Sequence, residues 1–394
     1  MKKNKVLILD PACHADGGHN VDLIFRYIRR IEADNKKVVV AASGGFEKLE
    51  GSGLKVDRIR NVYPSLTLNQ IKHTSLAKFY FLYLRIIQIF PLIITYRHYK
   101  ARKSLKSVLK NNELSNNDEI FLPSCDYYYA QQLIKILAKM KNAPSLHLRF
   151  IGVLENERIN SRYSGRRKLL SSIRSNRVIK LKLKVTAETE RLAKYISNLT
   201  NLSVDVKHYP FDENNTYQKN KKSDKVLRVS CPGASRRDKG SFDLGHIMKE
   251  SLYRCGNSAV FSLQKVRKGD IDFNKKAEKL SNIYPNLRLL DARVSRNKFE
   301  EYILDADVIL LPYDPNIYWN RGSAVFFESI ERGKYMIGRG GGAFVDSMAS
   351  LGVVDKYYSV EQLVSLIEFL TKKTKADIFN EGIRRRDVYR DFIN

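Results

Sequence analysis

Three basic residues that suit an anionic ligand follow a predicted strand at 226–230. Arg236, Arg237 and Lys239 stand in the segment PGASRRDKG, which ends at Gly240. Arginine forks and a lysine point charge on one loop can hold the charged oxygens of a diphosphate. Open α/β sheets bind ligands beyond the carboxyl ends of their strands, where this loop would lie. We therefore predict an anion-binding loop, and the alternative is a solvated basic turn.

A second group of candidate residues follows the strand predicted at 308–311. The segment Gly322-Ser323-Ala324 is predicted to form the start of a helix, whose free backbone amides can hold a phosphate. Glu328 lies more than one turn inside this helix, where a carboxylate can accept both hydroxyls of a ribose. In the competing interpretation Ser323 only caps the helix and Glu328 is exposed.

Two glycine-rich loops are further candidates, because glycine lets the backbone approach a ligand closely. Gly17 and Gly18 lie between a predicted strand and a predicted helix, and His19 stands at the helix start. There His19 can cap the helix or contact a phosphate, whereas a tight turn without a ligand is the alternative. The run 340–342 follows a strand predicted at 335–337, and a ligand loop and a mobile loop explain it equally well.

Two successive α/β series position these residues. Strands of the first are predicted at 5–10, 37–42, 119–122, 146–150, 179–186 and 204–210, and strands of the second at 226–230, 259–263, 287–290, 308–311 and 335–337. Apolar strands that alternate with helical spacing indicate parallel sheets covered by helices. The polar segment 212–224 is predicted to be a linker.

The length of 394 residues suits about two domains. We predict an N-terminal Rossmann-like domain at 1–210, a C-terminal one at 225–375, and a helix at 376–394 that packs back toward the first domain. The four cysteines lack metal-ligand or disulfide spacing, which indicates a reducing compartment. No secretory signal is expected at the N-terminus.

Positive charge is concentrated in the first half of the chain. The net charge is +28, and residues 1–210 contain 38 Lys or Arg against 17 Asp or Glu. The stretches 58–112 and 158–184 contain eleven and ten basic residues, respectively, and no acidic residue. Such a field favours an anionic partner, which can be nucleic acid, anionic lipid or a phosphorylated substrate.

The segment 76–96 favours lipid among these partners. It is apolar and rich in Tyr and Phe, but Lys78 and Arg85 interrupt it, so it is not expected to cross a membrane. Five basic residues follow, namely Arg97, Lys100, Arg102, Lys103 and Lys106. We predict that 76–106 lies on an anionic membrane surface, and no nucleic acid is expected. The alternative is a buried helix with a basic tip.

The ordered set of motifs resembles the GT-B glycosyltransferases of the retaining family GT4. The matching positions are Gly17-Gly18, Arg236 or Arg237 with Lys239-Gly240, and Gly322-Ser323-Ala324 with Glu328. The resemblance implies an α/β fold with two Rossmann-like domains that face each other across a cleft. The first domain is expected to bind the acceptor and to face the membrane, and the second is expected to bind the nucleotide-sugar. It also implies that Lys239 and one of the arginines neutralise a diphosphate leaving group, and that Glu328 binds the nucleotide ribose.

Two positions depart from the family pattern. The family often has a glutamate eight residues before the position of Glu328, where this sequence has Asn320, so Asn320 or Arg321 is the candidate for contact with the donor sugar. The family also tends to place a catalytic histidine at a strand end of the first domain. His147, which shares a strand face with Arg149, is the candidate here, and a core role for both is the alternative.

The resemblance implies transfer of a sugar from a nucleotide diphosphate to a glycan, with retention of anomeric configuration. The segment 76–106 favours a lipid-linked glycan. The expected setting is synthesis of a cell-surface polysaccharide such as lipopolysaccharide, in the cytoplasm at the inner face of the membrane. No metal or other cofactor is expected, and Asp305-Ala306-Asp307 is predicted to end a helix. A nucleotide-sugar epimerase and a non-catalytic basic protein that binds lipid or nucleic acid remain alternatives.

Overall fold

A computed structural model describes residues 4–13, 19–60, 91–152, 165–175, 181–212, 225–233, 239–265, 271–292 and 294–393. The chain divides into two compact units, Met1–His208 and Tyr209–Asn394. Each unit is a parallel sheet with helices between its strands, so the predicted α/β class is confirmed.

Seven strands form the sheet of the first unit within its described residues, in the order β3-β2-β1-β4-β5-β6-β7. The strands are β1 (Lys5–Asp10), β2 (Lys37–Ala42), β3 (Val56–Arg58), β4 (Glu119–Leu122), β5 (Ser145–Phe150), β6 (Leu183–Ala187) and β7 (Asp205–Val206). The helices are α1 (His19–Ala33), α2 (Phe46–Gly51), α3 (Pro91–Asn112), α4 (Tyr127–Leu137), α5 (Gly165–Arg174) and α6 (Glu190–Thr200). The strand order reverses between β1 and β4, which pair in parallel.

Six strands form the sheet of the second unit within the described part, in the order β10-β9-β8-β11-β12-β13. They are β8 (Leu227–Cys231), β9 (Ala259–Gln264), β10 (Leu287–Leu290), β11 (Val308–Leu311), β12 (Tyr335–Arg339) and β13 (Asp355–Tyr357). The helices are α7 (Ser241–Cys255), α8 (Ile271–Ile283), α9 (Arg296–Leu304), α10 (Ala324–Glu331), α11 (Ala343–Ser350), α12 (Val360–Thr371) and α13 (Lys375–Ile393). Here the order reverses between β8 and β11.

The central strands are buried because helices cover both faces of a parallel sheet, which explains their continuous apolar sequences. All four residues of β11 are buried, as are five of the six residues of β1. Side-chain caps start several helices. Asp126, for example, accepts hydrogen bonds from the amides of Tyr128 and Tyr129, both at 3.0 Å, at the start of α4.

The terminal helix α13 packs on elements of the second unit. A Cβ atom on Gly382 would collide with the carbonyl oxygen of Gly333, so the helix approaches the turn before β12 closely. The Arg386 side chain donates to the carbonyl oxygen of Glu331 at 2.9 Å. Contact of this helix with the first domain, expected from the sequence, stays a prediction.

The structure corrects some of the predicted element boundaries. The strand expected at 204–210 is only the two-residue β7, and the strand expected at 179–186 begins at Leu183. The short strands β3 and β13 were not predicted. Asp305 is the C-cap of α9, which confirms that the Asp-Ala-Asp sequence ends a helix.

Several predicted features lie outside the described residues. These are Gly17, Gly18, Arg236, Arg237, most of the apolar segment 76–96 and most of the linker. His19 begins α1, but its side chain is not among those described. Within the described residues, none of the helices has the length and apolar content that crossing a membrane requires.

Candidate functional site

The candidate site of the second unit lies where its strand order reverses. The neighbouring strands β8 and β11 end at Cys231 and Leu311, and both carboxyl ends are at the same edge of the sheet. A crevice forms at such a topological switch point because the connections leave in opposite directions. The loops that follow these two strands contain Lys239, Tyr313 and Ser323, which together we call the cationic switch point.

Lys239 lies against the end of the neighbouring strand. Its Nζ is 5.6 Å from the centre of the Tyr313 ring, whose π face attracts a cation. The same Nζ would be 2.9 Å from a Cβ on Gly233, a residue with φ of +95°. Glycine at this position therefore leaves space for the ammonium group. Burial raises the pKa of the Cys231 thiol to about 12, and the nearby charge of Lys239 acts in the opposite direction.

Gly240 fixes the lysine in this position. It has φ of +73°, and a Cβ on it would collide with the carbonyl oxygen of Pro312. Only glycine meets both conditions, because residues with a Cβ disfavour this backbone conformation. The Lys-Gly pair thus has a packing reason as well as a chemical one, since the glycine brings the lysine to the end of β11.

Ser323 and Tyr313 connect the strand end to the start of α10. The Ser323 hydroxyl accepts a hydrogen bond from the Phe326 amide at 3.3 Å, which confirms Ser323 as the N-cap. The same hydroxyl donates to the Tyr313 hydroxyl at 3.2 Å. Tyr313 is buried, and its ring centre lies 4.5 Å from that of Tyr318. No role was predicted for Tyr313, although its place directly beyond a buried strand was a usable signal.

The two candidates for donor-sugar contact differ in exposure. Asn320 is completely buried, at 0% exposure, whereas Arg321 is half-buried. The guanidinium of Arg321 lies 5.7 Å from the centre of the Tyr318 ring. Arg321 is therefore the more exposed of the two candidates. Gly322 follows it and leads directly into the N-cap of α10.

Glu328 is buried within α10, at 2% exposure, so the interpretation that placed it on an exposed helix face is wrong. Its Oε2 accepts a hydrogen bond from Arg296 Nη1 at 2.9 Å. Arg296 also contacts Glu300, which in turn pairs with Arg332 at 3.3 Å. Within the described residues no hydrogen bond reaches Oε1. Arg296 was not predicted, because its distance of 32 residues from Glu328 gives no local signal.

The glycine run at 340–342 is packed against the rest of the second unit. The amide of Gly340 donates to Tyr357 O at 2.9 Å, and that of Gly341 donates to Asp346 Oδ1 at 3.0 Å. A Cβ on Gly340 would meet the ring of Tyr358. These contacts account for the run by packing and do not favour a mobile loop.

His147 lies inside the first unit, away from the carboxyl edge of its sheet. It is the third residue of β5, and its ring nitrogens lie 3.1 Å from Glu119 Oε1 and 3.0 Å from Thr186 Oγ1. Burial lowers the pKa of the imidazole, and the hydrogen bond with Glu119 opposes this effect. Because both nitrogens are occupied and Glu119 begins β4, this placement favours a core role for His147.

Arg149 also forms a buried network in the first unit. Its guanidinium pairs with Glu188 at 3.2 Å and donates to the carbonyl oxygens of Pro123 and Lys207, at 3.1 and 2.8 Å. These contacts satisfy a completely buried charge.

Among the described residues, no group of three or more His, Cys, Asp or Glu is placed to hold a metal ion.

Comparison with known proteins gives structural matches only. No protein-family model and no curated protein sequence matches the chain. A glycosyltransferase from Rickettsia africae ESF-5 matches with a TM-score of 0.64 at 11% identity, covering 100% of this chain and 97% of that one. Sucrose-phosphate synthase from Thermosynechococcus elongatus gives 0.65 at 13% identity, covering 100% and 95%.

A third structure, Anabaena HepE in complex with UDP, matches with a TM-score of 0.59 at 15% identity, covering 98% of this chain and 96% of that one. At such low identity these matches establish the fold and nothing finer. The fold is α/β of the GT-B type with two Rossmann-like units, as the resemblance implied.

Proposed function

We propose that the protein is a glycosyltransferase that moves a sugar from a nucleoside diphosphate to a glycan. The observation that carries the proposal is the cationic switch point, where Lys239 lies beside Tyr313 and the N-terminus of α10 begins at Ser323. A lysine and free helix amides both favour negative charge. Glu328, inside the same helix, has one carboxylate oxygen available for ribose hydroxyls. The fold matches to glycosyltransferase structures support the same class of reaction.

In the proposed reaction the bond between the anomeric carbon and the diphosphate oxygen breaks, and negative charge develops on the diphosphate. Lys239 and the amides of α10 stabilise that charge, together with Arg236 or Arg237, and Arg321 contacts the donor sugar. An acceptor hydroxyl forms the new bond to the anomeric carbon, and its proton passes to the departing diphosphate oxygen. We propose that no metal takes part, because cationic side chains and a helix N-terminus neutralise the charge. Retention of anomeric configuration is proposed from the resemblance to family GT4 alone.

Uridine diphosphate sugars are the first donors to test. HepE was solved in complex with UDP, and an Escherichia coli structure described as trehalose-6-phosphate contains UDP-2-fluoro glucose. Thermal-shift measurements with UDP, GDP and CMP should show stabilisation by one nucleotide, followed by sugar transfer from its labelled sugar conjugate to a glycan. Isomerisation of the nucleotide-sugar without an acceptor would instead support an epimerase. Affinity for RNA or DNA at physiological salt without nucleotide binding would contradict an enzyme of either kind.

We also propose that the acceptor is lipid-linked and that α3 holds the protein on an anionic membrane surface. Tyr96 and Tyr99 are 53% and 58% exposed, and Lys103, Lys106 and Lys110 follow at helical spacing on the same stripe. The opposite face of α3 is buried and apolar, with Ala101, Leu105 and Val108 in the core. Aromatic residues followed by lysines on one exposed stripe suit the interface of a bilayer.

The structure divides the predicted basic cluster. Arg97 is half-buried and donates to the Tyr128 hydroxyl at 3.1 Å, and Lys100 lies 4.5 Å from the centre of the Tyr96 ring. Arg102, Lys103 and Lys106 are exposed. The proposed membrane contact therefore belongs to the exposed stripe, whereas Arg97 holds α3 against α4.

Vesicle flotation tests this contact. Replacing Lys103, Lys106 and Lys110 by Gln should weaken binding to vesicles that contain phosphatidylserine, since each basic residue near such a surface contributes roughly 1 kcal/mol. Lys135, Lys139 and Lys141 changed to Gln provide a control with the same change in charge. Equal flotation of the two variants, or no flotation of the wild type at low salt, would contradict the proposal. We propose that the membrane-bound protein acts at the inner face of the membrane, in synthesis of a cell-surface polysaccharide.

A further inference from the structure

The first unit has a switch point of its own, between β1 and β4. Asp10 is the last residue of β1, and Ser124 follows β4 by two residues. The parallel register pairs Ile8 with Phe121, so continuing it places Asp10 beside Pro123. Adjacent strands lie about 4.8 Å apart. Asp10 and Ser124 therefore flank the position at which an open α/β sheet binds its ligand.

Two polar atoms at this switch point are buried without a partner. Asp10 is completely buried, and its Oδ1 accepts hydrogen bonds from the amides of Ala12 and Cys13 at 2.9 and 3.2 Å. Its Oδ2 has no hydrogen-bond partner in the described part of the chain, and neither does the buried Ser124 Oγ. Leaving a buried polar group unpaired is unfavourable and rare in folded proteins. Two such atoms on neighbouring strand ends indicate a place that a ligand completes.

Two carboxyl groups lie near each other at this position. Asp126, the N-cap of α4, lies near enough to Asp10 for its charge to act on the Asp10 carboxyl. Burial raises the pKa of Asp10 to about 7, and the charge of Asp126 adds to that increase. The buried Arg149 pairs with Glu188 and donates to Pro123 O. We call Asp10, Ser124 and Asp126 the acidic switch point.

We propose that the acidic switch point binds hydroxyl groups of an uncharged sugar, through Asp10 Oδ2 and Ser124 Oγ. A carboxylate accepts hydrogen bonds from hydroxyls, and a serine hydroxyl both donates and accepts. A phosphate or uronate group would be repelled by Asp126 and by the ionised form of Asp10. That this sugar is the acceptor rests on the proposed function. The proposal then requires that the sugar residue of the acceptor that reacts be uncharged.

The test measures ligand binding by the full chain with saturation-transfer NMR. UDP is present so that it occupies the second unit. The probes are the methyl glycosides of glucose, galactose, mannose and N-acetylglucosamine, compared with glucose 6-phosphate and glucuronate. At least one neutral glycoside should bind more tightly than both anions. Asp10→Asn keeps an acceptor for the two backbone amides but replaces the unpaired oxygen with a donor, so it should weaken glycoside binding about tenfold.

Ser124→Ala should weaken the same binding several-fold. Asp118→Asn is the matched control, because Asp118 is also buried but lies at the other edge of the sheet, with Lys5 and Ser115 as partners. It should bind glycosides as the wild type does. The proposal is wrong if no neutral glycoside binds, if an anionic sugar binds best, or if folded Asp10→Asn binds like the wild type.

A separate titration with UDP distinguishes this proposal from the proposed function. Absence of UDP binding would contradict a nucleotide-sugar enzyme. The glycoside result would then be interpreted independently of the proposed function. Loss of glycoside binding in Asp10→Asn with unchanged UDP affinity would support a sugar site in the first unit. Loss of both, in a folded Asp10→Asn variant, would show that Asp10 does not act at a separate sugar site.

Discussion

The two sheets reverse their strand order at equivalent places, but one switch point has a basic side chain and the other has acidic side chains. In the second unit a lysine, Lys239, lies beside the aromatic ring of Tyr313. In the first unit the corresponding region contains two carboxyl groups, Asp10 at the end of β1 and Asp126 at the start of α4. The shared topology provides the position of a site, and the residues after each strand decide its ligand. We therefore propose an anion as the ligand of the second unit and hydroxyl groups as the ligand of the first.

The switch points also differ in how far the protein satisfies their polar groups. Ser323 is hydrogen-bonded to Tyr313, and Glu328 accepts a hydrogen bond from Arg296, so these side chains are ordered before a ligand arrives. Asp10 Oδ2 has no such partner within the described residues. A prearranged group favours binding because little ordering remains to be done. An unpaired buried carboxyl, in contrast, lowers stability, and such residues are expected where function requires them.

The largest effect is expected when the unpaired carboxyl is removed. The pKa of Asp10 rises from 3.8 to about 7 through burial, so the folded state keeps a proton that the unfolded chain loses between these pH values. Stability therefore falls as pH rises through this window. Asp10→Asn should unfold with a free energy roughly 2 to 4 kcal/mol higher than the wild type at pH 8, and nearly equal at pH 4.

Urea unfolding at pH 4, 6 and 8 measures this difference. Asp118→Asn is the control with the opposite sign. Burial acts to raise the pKa of Asp118, but hydrogen bonds from the Ser115 and Lys5 amides and from the Ser115 hydroxyl lower it. This variant should lose more stability at pH 8 than at low pH. A lower unfolding free energy for Asp10→Asn at pH 8 would mean that the carboxylate stabilises the fold.

The next effect concerns the cation of the second unit. Lys239→Ala should weaken nucleoside-diphosphate binding by about 1.5 to 3 kcal/mol, since it removes one charge-assisted hydrogen bond. Turnover should fall further if the lysine stabilises the leaving group, while Gly240 keeps the turn intact. Calorimetric titration with UDP measures the affinity, with Lys298→Ala on an exposed part of α9 as the control. Unchanged affinity in both Lys239→Ala and an Arg236/Arg237 double-alanine variant would place the phosphates elsewhere.

The fold was largely predictable because its central strands are buried on both faces and therefore apolar throughout. The predicted bounds of β1, β2, β4, β10 and β11 agree with the structure. The strands β3 and β13 were missed because Val-Asp-Arg and Asp-Lys-Tyr are short and partly exposed, so they lack an apolar run. Apolar sequence patterns reveal buried strands, and these two edge strands are too exposed to show such a pattern.

The candidate site was predictable only where its chemistry is local. Ser323 could be recognised as a cap from the helix that follows it, and Lys239 from its place after a strand. The pairing of Arg296 with Glu328 joins two helices, and the unpaired oxygen of Asp10 depends on what surrounds it in space. Neither leaves a signal in the sequence, because tertiary packing alone determines which groups meet and which remain unpaired.

The smallest effect is expected at the ribose. If Glu328 Oε1 accepts a ribose hydroxyl, UDP should bind several-fold more tightly than 2′-deoxy-UDP, and Glu328→Ala should abolish that difference. Glu328→Gln should be milder because one acceptor oxygen remains. Arg296→Gln frees Oε2 and lets the carboxylate turn, so it should reduce the discrimination while leaving phosphate affinity unchanged. Titration of both nucleotides with each variant measures this, and full discrimination in folded Glu328→Ala would mean that the residue serves only the ion pair.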